Sequence, residues 1–516
     1  MTMVPLVKSV LDKSSALLRH SHRTTSVIVF AVLMLDNLLL TVVVPIIPNL
    51  VYQIDHPDNV IPASTGVQSA KCQPENRSLS CTVPNRADDE RPAIPAAVDK
   101  KAIILDLMNE NAKIGFLFSS KAFVQLLINP FVGIVSARYG YTMPLFFGLC
   151  VIFFAALLFA VGSTYGTLFF ARSLQGVGSS AAVISGMGLI SSRYPDEEDR
   201  SKQMGVALSG IAAGVLVGYP FGSVVYDFAG KAVPFLLIAF LLAVLGAAQT
   251  IALPPRLEHS SVALTTSTKT LLRDPYILAV ILVICASTCA MATLEPCLPL
   301  WLMETMSPQP WQLGTAFVPD SIGYFLGSSF FGVFALRVGR WKCAMVGMVT
   351  VGISAICLPF ATAIWHLIIP HFGIGIGIGV VDASFMPLLA LLVDLRHEAV
   401  YGSVFAVAQI AVCLAYSLGP LLGGLVANSA GFPFLMRTIG IVNLLISPVC
   451  MLLRHVPNRA ENQGLLSHHT TFGSQDPSRR RSSGMMYRTL TSDTDDYPDV
   501  AAMPKFNIRR KSSVRR

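Results

Sequence analysis

Residues 30–50 read FAVLMLDNLLLTVVVPIIPNL. The run is long enough and apolar enough for a helix that crosses a bilayer, which takes about 20 such residues. Asp36 and Asn37 sit inside it. An ionised carboxylate at the centre of a membrane helix costs about 2.5–3.5 kcal/mol on insertion scales. Such a group is kept where it faces protein or a wet cavity, so this one stretch implies both a membrane chain and a polar interior.

The rest of the sequence agrees. Of 516 residues, 53% are hydrophobic and 13% are charged, and the mean hydropathy is +0.60. Soluble domains carry about 25% charged residues. Twelve candidate spans follow one another: 27–50, 112–134, 143–163, 167–190, 204–226, 232–253, 276–300, 313–336, 343–363, 366–390, 401–427 and 431–453. Runs of this length exclude barrel strands, so the fold class is an all-α integral membrane bundle. The net charge of +8 comes from bases in loops and tail, not from one domain, so nucleic acid is not a partner. The ten cysteines have no metal-ligand spacing, and no nucleophile–base–acid set stands out, which argues against an enzyme.

The loop bases set the orientation. Arg19 and Arg23 precede span 1. Arg138, Arg193, Arg200, Lys202, Arg256, Arg273, Arg337, Arg340 and Arg396 fall on the same side, which places both termini in the cytosol. The chain divides into a segment 1–26, a six-helix half 27–253, a linker 254–275, a second half 276–453 and a polar tail 454–516 expected to be disordered. GIVSARYGY at 133–141 is echoed by GVFALRVGR at 332–340, each after the second span of its half, so two six-helix halves in parallel repeat are expected. Residues 51–111 form a lumenal excursion. It holds a glycosylation acceptor at Asn76, and Cys72 and Cys81, between which an oxidising lumen permits a disulfide. In the tail, ENQGLL offers Glu461, Leu465 and Leu466 as an acidic dileucine signal for sorting adaptors.

Inside the spans lie Asp36, Lys121, Arg172, Glu295 and Asp382, with Asp320 near the end of span 8. Acids outnumber bases, a balance that suits a cationic ligand or proton carriage. Pairing of Lys121 or Arg172 with an acid would equally serve helix packing. Trp301, Tyr324, Phe331 and Tyr416 lie in or beside the late spans and offer faces for an ammonium. Breakers cluster at VVVPIIP (42–48), NPFVG (129–133), EPCLP (295–299) and LGPLLGG (418–424), and GIGIGIG (373–379) permits close helix approach.

Several strings resemble vesicular amine transporters: MLDNLLLTVVVPIIP in span 1, GFLFSSKAFVQLLINPFVG at 115–133, LFFARSLQGVGSS at 168–180, LEPCLPLWLMETM at 294–306, GVVDASFMPLLALLVDLRH at 379–397 and YGSVFAVAQI at 401–410. The similarity runs from about residue 27 to 453. WQLGTAFVP at 311–319 and GRW at 339–341 look like the monoamine branch. The resemblance implies a major-facilitator-type monomer in synaptic or secretory vesicle membranes. Without a cofactor or a metal, it would exchange lumenal protons for a small cytosolic amine such as serotonin or dopamine. It implies that Asp36, with Asn37 beside it, engages the ammonium and that Glu295 serves recognition and coupling. Asp382 would be the central proton-coupling acid, Lys121 and Arg172 members of a charge network, and Tyr324 and Tyr416 pocket or gate aromatics. Acetylcholine carriage, plasma-membrane export of organic cations or polyamines, and a non-transporting receptor are the competing readings. There are departures from the family pattern. Gln409 stands for an aspartate in span 11 that would face Lys121, Val412 for an aromatic and Thr288 for an asparagine. Ser307 replaces a cysteine, and Asp320 is an added acid.

Overall fold

A computed structural model describes residues 22–55, 100–254, 268–306, 308, 310–396 and 401–456. Asn76, Cys72, Cys81, Ser307, Glu461, Leu465 and Leu466 lie outside the described residues, as do the tail and most of the excursion. Among the described residues, twelve helices are long and apolar enough to cross a membrane. They are α1 (His22–Asp55), α2 (Lys100–Tyr139), α3 (Thr142–Val161), α4 (Tyr165–Arg193), α5 (Glu197–Ala229), α6 (Ala232–Ala252), α7 (Pro275–Thr305), α8 (Val318–Val338), α9 (Arg340–Cys357), α10 (Ile368–Arg396), α11 (Tyr401–Ala430) and α12 (Phe432–Ile446). Each expected span has its helix, and the fold is all-α.

Helix α2 differs from expectation at its start. Residues 100–111, assigned to the lumenal excursion, are helical, as are residues 51–55 at the end of α1. KKAIILDLMNENAK is rich in helix formers, and a helix does not stop where the hydrocarbon does. At 40 residues, α2 is about 60 Å long, twice the apolar thickness of a bilayer.

Local chemistry sets the other ends. The side chain of Asp196 caps α5 by accepting from the N–H groups of Glu198 and Asp199 at 3.0 and 3.1 Å, and Glu197, Glu198 and Asp199 face the positive end of the helix dipole. Asp274 caps α7, with Pro275 in the first turn. In the repeated motif, Gly140 and Gly339 take φ of 82° and 114°, a left-handed backbone that ends α2 and starts α9. Prolines expected to break spans sit inside continuous helices: Pro130 in α2, Pro296 and Pro299 in α7 and Pro420 in α11; Pro387 in α10 does likewise. Membrane helices tolerate them because neighbouring groups re-satisfy the freed carbonyls.

The packing repeats after six helices. Helix α2 lies along α4 and α8 along α10; α3 lies along α4 and on α6, and α9 along α10 and on α12. Between the halves, α2 packs on α11 and α8 on α5. The echoed glycines make both crossings. A Cβ on Gly133 would come within 3.2 Å of the Gly402 carbonyl, and one on Gly332 within 2.7 Å of the Ser201 carbonyl. In α10 the glycine run serves two faces. Gly375 and Gly379 lie against the backbone of α8, and Gly377 against Gly347 of α9. That wedges α10 into the interior, where 94% of its most apolar 18-residue window is buried.

Large apolar side chains point outward around the helices, among them Phe131, Phe147, Phe154, Phe240, Leu425 and Leu445. A belt of this kind belongs against lipid. At the end that carries the loop bases, the halves are joined by charge. Arg200, fully buried, donates to Asp394 at 2.7 Å, and Arg340 lies 2.9 Å from Glu197 and 3.0 Å from the Ser201 hydroxyl. Tyr141, in the turn between α2 and α3, accepts from the Gly402 N–H at 3.3 Å. Burial pushes its phenol up to about 12, so it stays neutral.

Candidate functional site

The first half contains a polar network shared by three helices. On α4, Arg172, Gln175 and Ser179 fall at i, i+3 and i+7, and on α2 Lys121, Gln125 and Asn129 fall at i, i+4 and i+8, so each set lines one helix face. Gly176 lets the two helices touch: a Cβ there would lie 2.5 Å from the Lys121 carbonyl. Asp36 on α1 meets both stripes. Its Oδ1 accepts from Ser179 at 2.6 Å and from Gln175 at 3.3 Å, and its Oδ2 accepts from Lys121 at 3.4 Å. Arg172 donates to Gln175 at 3.1 Å and to the Leu40 carbonyl at 3.2 Å, with its guanidinium 5.4 Å from the centre of the Phe118 ring. Asp36 and Lys121 are buried. The partner of Lys121 is therefore Asp36, on its own half. Half-buried Gln409 is not needed to neutralise it.

Asn37 is turned differently. Its amide donates to the Leu33 carbonyl of its own helix at 2.8 Å. Asn129 continues the polar path toward the second half, accepting from Ser180 at 2.7 Å and donating to Cys413 of α11 at 3.5 Å.

The second half is arranged otherwise. Glu295 on α7 accepts from the Tyr219 hydroxyl of α5 at 3.2 Å, a bond between the halves. Pro296 and Pro299, having no N–H, free the carbonyls of Ala292 and of Glu295 itself. The cations near enough to act on Glu295 are Arg172 and Lys121, both from the first half. Asp382 on α10 is buried; its Oδ2 accepts from Tyr324 of α8 at 2.8 Å, while its Oδ1 has no partner among the described residues. Asp320 and Tyr324 are one helical turn apart on α8. Tyr416 of α11 lies within the fields of Glu295, Asp320 and Asp382 together.

Five of the residues expected at the site are thus drawn to one boundary between the halves: Arg172, Glu295, Tyr324, Asp382 and Tyr416. Asp36 and Lys121 lie just behind it in the first half. Trp301 is not brought to it. Its ring stacks on Phe432 at 4.8 Å in an apolar cluster of the second half. Phe331 packs against Phe334 and a small apolar cluster with Cys343 and Val380. Sequence reading missed Gln175, Ser179, Tyr219 and Phe317. The signal for the first two was a polar stripe at helical spacing in an apolar span. Tyr219 had no such signal, because its partner is 76 positions away.

Comparison with known proteins follows the same lines. The Major Facilitator Superfamily model matches residues 93–418 and 282–481. The synaptic vesicular amine transporter of Rattus norvegicus is 45% identical over 478 residues, covering 87% of this chain and 92% of that protein. The chromaffin granule amine transporter of Homo sapiens is 39% identical over 531 residues, covering 96% and 99%. The vesicular acetylcholine transporter of Homo sapiens is 37% identical over 457 residues, covering 85% and 84%. Among solved structures, the human organic anion transporter MFSD10 superposes with a TM-score of 0.64 at 14% identity, over 83% of this chain and 99% of that one. At that identity the likeness is one of fold.

Proposed function

The chain belongs to the vesicular amine transporter family of the Major Facilitator Superfamily, a family of transporters rather than enzymes; from that premise we propose that it is a proton-coupled antiporter loading a cationic amine into acidic vesicles. The observation that carries this reading is the Tyr219–Glu295 bond between the halves. Tyr416 lies within the fields of both Glu295 and a further acid, Asp382, which has no ion pair among the described residues. An ammonium arriving between the halves supplies the missing positive charge, and so does a proton.

In this scheme the amine enters from the cytosol and its ammonium is held at Glu295, with Tyr219, Tyr324 and Tyr416 around its organic part. Asp36 acts from behind, tying Lys121 in place so that Arg172 can bear on Glu295. Protonation of Asp382 and Glu295 from the lumen weakens retention of the cation and releases it. The ion pairs Arg200–Asp394 and Arg340–Glu197 hold the basic end closed meanwhile. A unit of pH gradient contributes about 1.4 kcal/mol per proton, and 100 mV about 2.3 kcal/mol per charge. Higher identity to amine carriers than to the acetylcholine carrier favours a protonated amine over a quaternary one. Glycosylation at Asn76, a Cys72–Cys81 disulfide, sorting through Glu461, Leu465 and Leu466, and action as a monomer complete the proposal.

The test is uptake of radiolabelled amine into proteoliposomes with an acid interior. Gradient-driven accumulation in wild type, lost in Asp382→Asn while amine still binds, is the expected outcome. Full accumulation by Asp382→Asn would overturn the coupling assignment. Accumulation of acetylcholine but not serotonin would overturn the choice of substrate class.

A further inference from the structure

Two side chains near this boundary have buried polar atoms left unmet, and the scheme above gives neither of them a step. Asp320 in the first turn of α8 is 6% exposed, and its Oδ1 has no hydrogen-bond partner among the described residues. His371 in the first turn of α10 is 0% exposed, and both its ring nitrogens lack partners. A buried donor or acceptor left unmet carries the full desolvation penalty of the group, and native folds keep few of them. Two in one region call for an explanation.

Their placement supplies it. The Asp320 backbone presses against Gly375, so the first turns of α8 and α10 meet, and His371 lies one turn before Gly375. The His371 ring is 5.6 Å from that of Phe317, three positions before Asp320. Phe317 in turn stacks on Tyr219 at 5.5 Å, and Tyr219 holds Glu295. Asp320 also lies within the fields of Glu295, Tyr219, Tyr324 and Tyr416, the groups that surround the proposed ammonium site. No lysine or arginine among the described residues acts on it. An open acceptor and an open imidazole thus stand on the same aromatic wall as Glu295.

We propose that Asp320 and His371 form a second polar subsite, which takes a hydrogen-bond-donating group carried by the substrate at the end away from its ammonium. A ring hydroxyl, a ring N–H or a second ammonium meets that description. Asp320 accepts from the donor, and the neutral imidazole offers one acceptor and one donor to the same group. A site built to bond such a group discriminates strongly against an analogue lacking it, because its own polar atoms are then left unmet. The inference deepens the amine-transport reading and rests on it.

The test uses the full chain, purified and reconstituted, with 2-phenylethylamine, its 4-hydroxy analogue and its 4-aminomethyl analogue. Binding is read from ligand-induced thermal stabilisation and transport from competition in uptake. Wild type is expected to prefer the two donor-bearing analogues by about tenfold or more, and Asp320→Ala to reduce that preference below about threefold while the parent amine binds within about twofold of wild type. Binding of the parent amine shows that the variant pocket is intact. If Asp320→Ala does not fold, Asp320→Asn decides, with the preference for the 4-aminomethyl analogue expected to fall further than that for the hydroxyl. A wild type that binds all three amines alike overturns the subsite and leaves the antiport reading standing. So does a preference unchanged in both the Asp320 and His371→Ala variants. A wild type that binds none of the three overturns both.

Discussion

The two halves share a packing plan but treat their buried charges in opposite ways. In the first half, Asp36 has one cation and two neutral donors on its carboxylate, all from its own half. In the second half, Asp382 has one phenol, Asp320 keeps an open oxygen, and Glu295 takes its hydrogen bond from across the boundary. A carboxylate with both oxygens bonded inside its own half is fixed, since removing any partner leaves a buried charge short of one. Under-satisfied acids can respond to a proton or a cation. The repeat therefore supplies a scaffold half and a responsive half from one architecture.

That contrast is exposed to a graded set of substitutions, each read as a shift in unfolding free energy of the reconstituted protein. The largest effect is expected for Lys121→Ala, which strands Asp36. Breaking a buried pair from one side costs about 3–5 kcal/mol, and Asp36→Asn in the same background should restore much of it. A loss under 1 kcal/mol would show that the first half is not held by its charges. Ser179→Ala comes next. It removes the shortest bond to a buried carboxylate, for about 1.5–3 kcal/mol, and a silent substitution would put Asp36 among the responsive acids instead. Tyr324→Phe should cost less, about 1 kcal/mol, because Asp382 has no cation to lose and can shed its charge by taking a proton. Smallest of all, Asp382→Asn should fall within about 0.5 kcal/mol of wild type, or above it, since it neutralises an acid that the fold does not pair. A loss there as large as that of Lys121→Ala would erase the distinction between the halves.

Much of this protein could be read from local sequence. Each of the twelve spans has its helix, and the echo of GIVSARYGY in GVFALRVGR marks the two glycines that carry the crossings between halves. Embedded Asp36, Lys121, Arg172, Glu295 and Asp382 were visible as charges in apolar runs. What they touch was not. Lys121 was open to several acids, and its bond to Asp36 spans 85 positions. Trp301 looked like a pocket aromatic and is core. Asp320 was visible as an added acid, but its open oxygen and the unmet imidazole of His371 belong to the packing of α8 on α10.

Sequence alone determined which stretches are long and apolar enough to cross a membrane, because hydropathy depends only on composition within about twenty neighbouring residues. It also determined which spans carry charge, for the same reason. Which charge is paired and which left open was decided only by tertiary structure. A side chain's partner depends on the rotation of its helix about its own axis and on the helix set against it, and close glycine contacts far along the chain fix both.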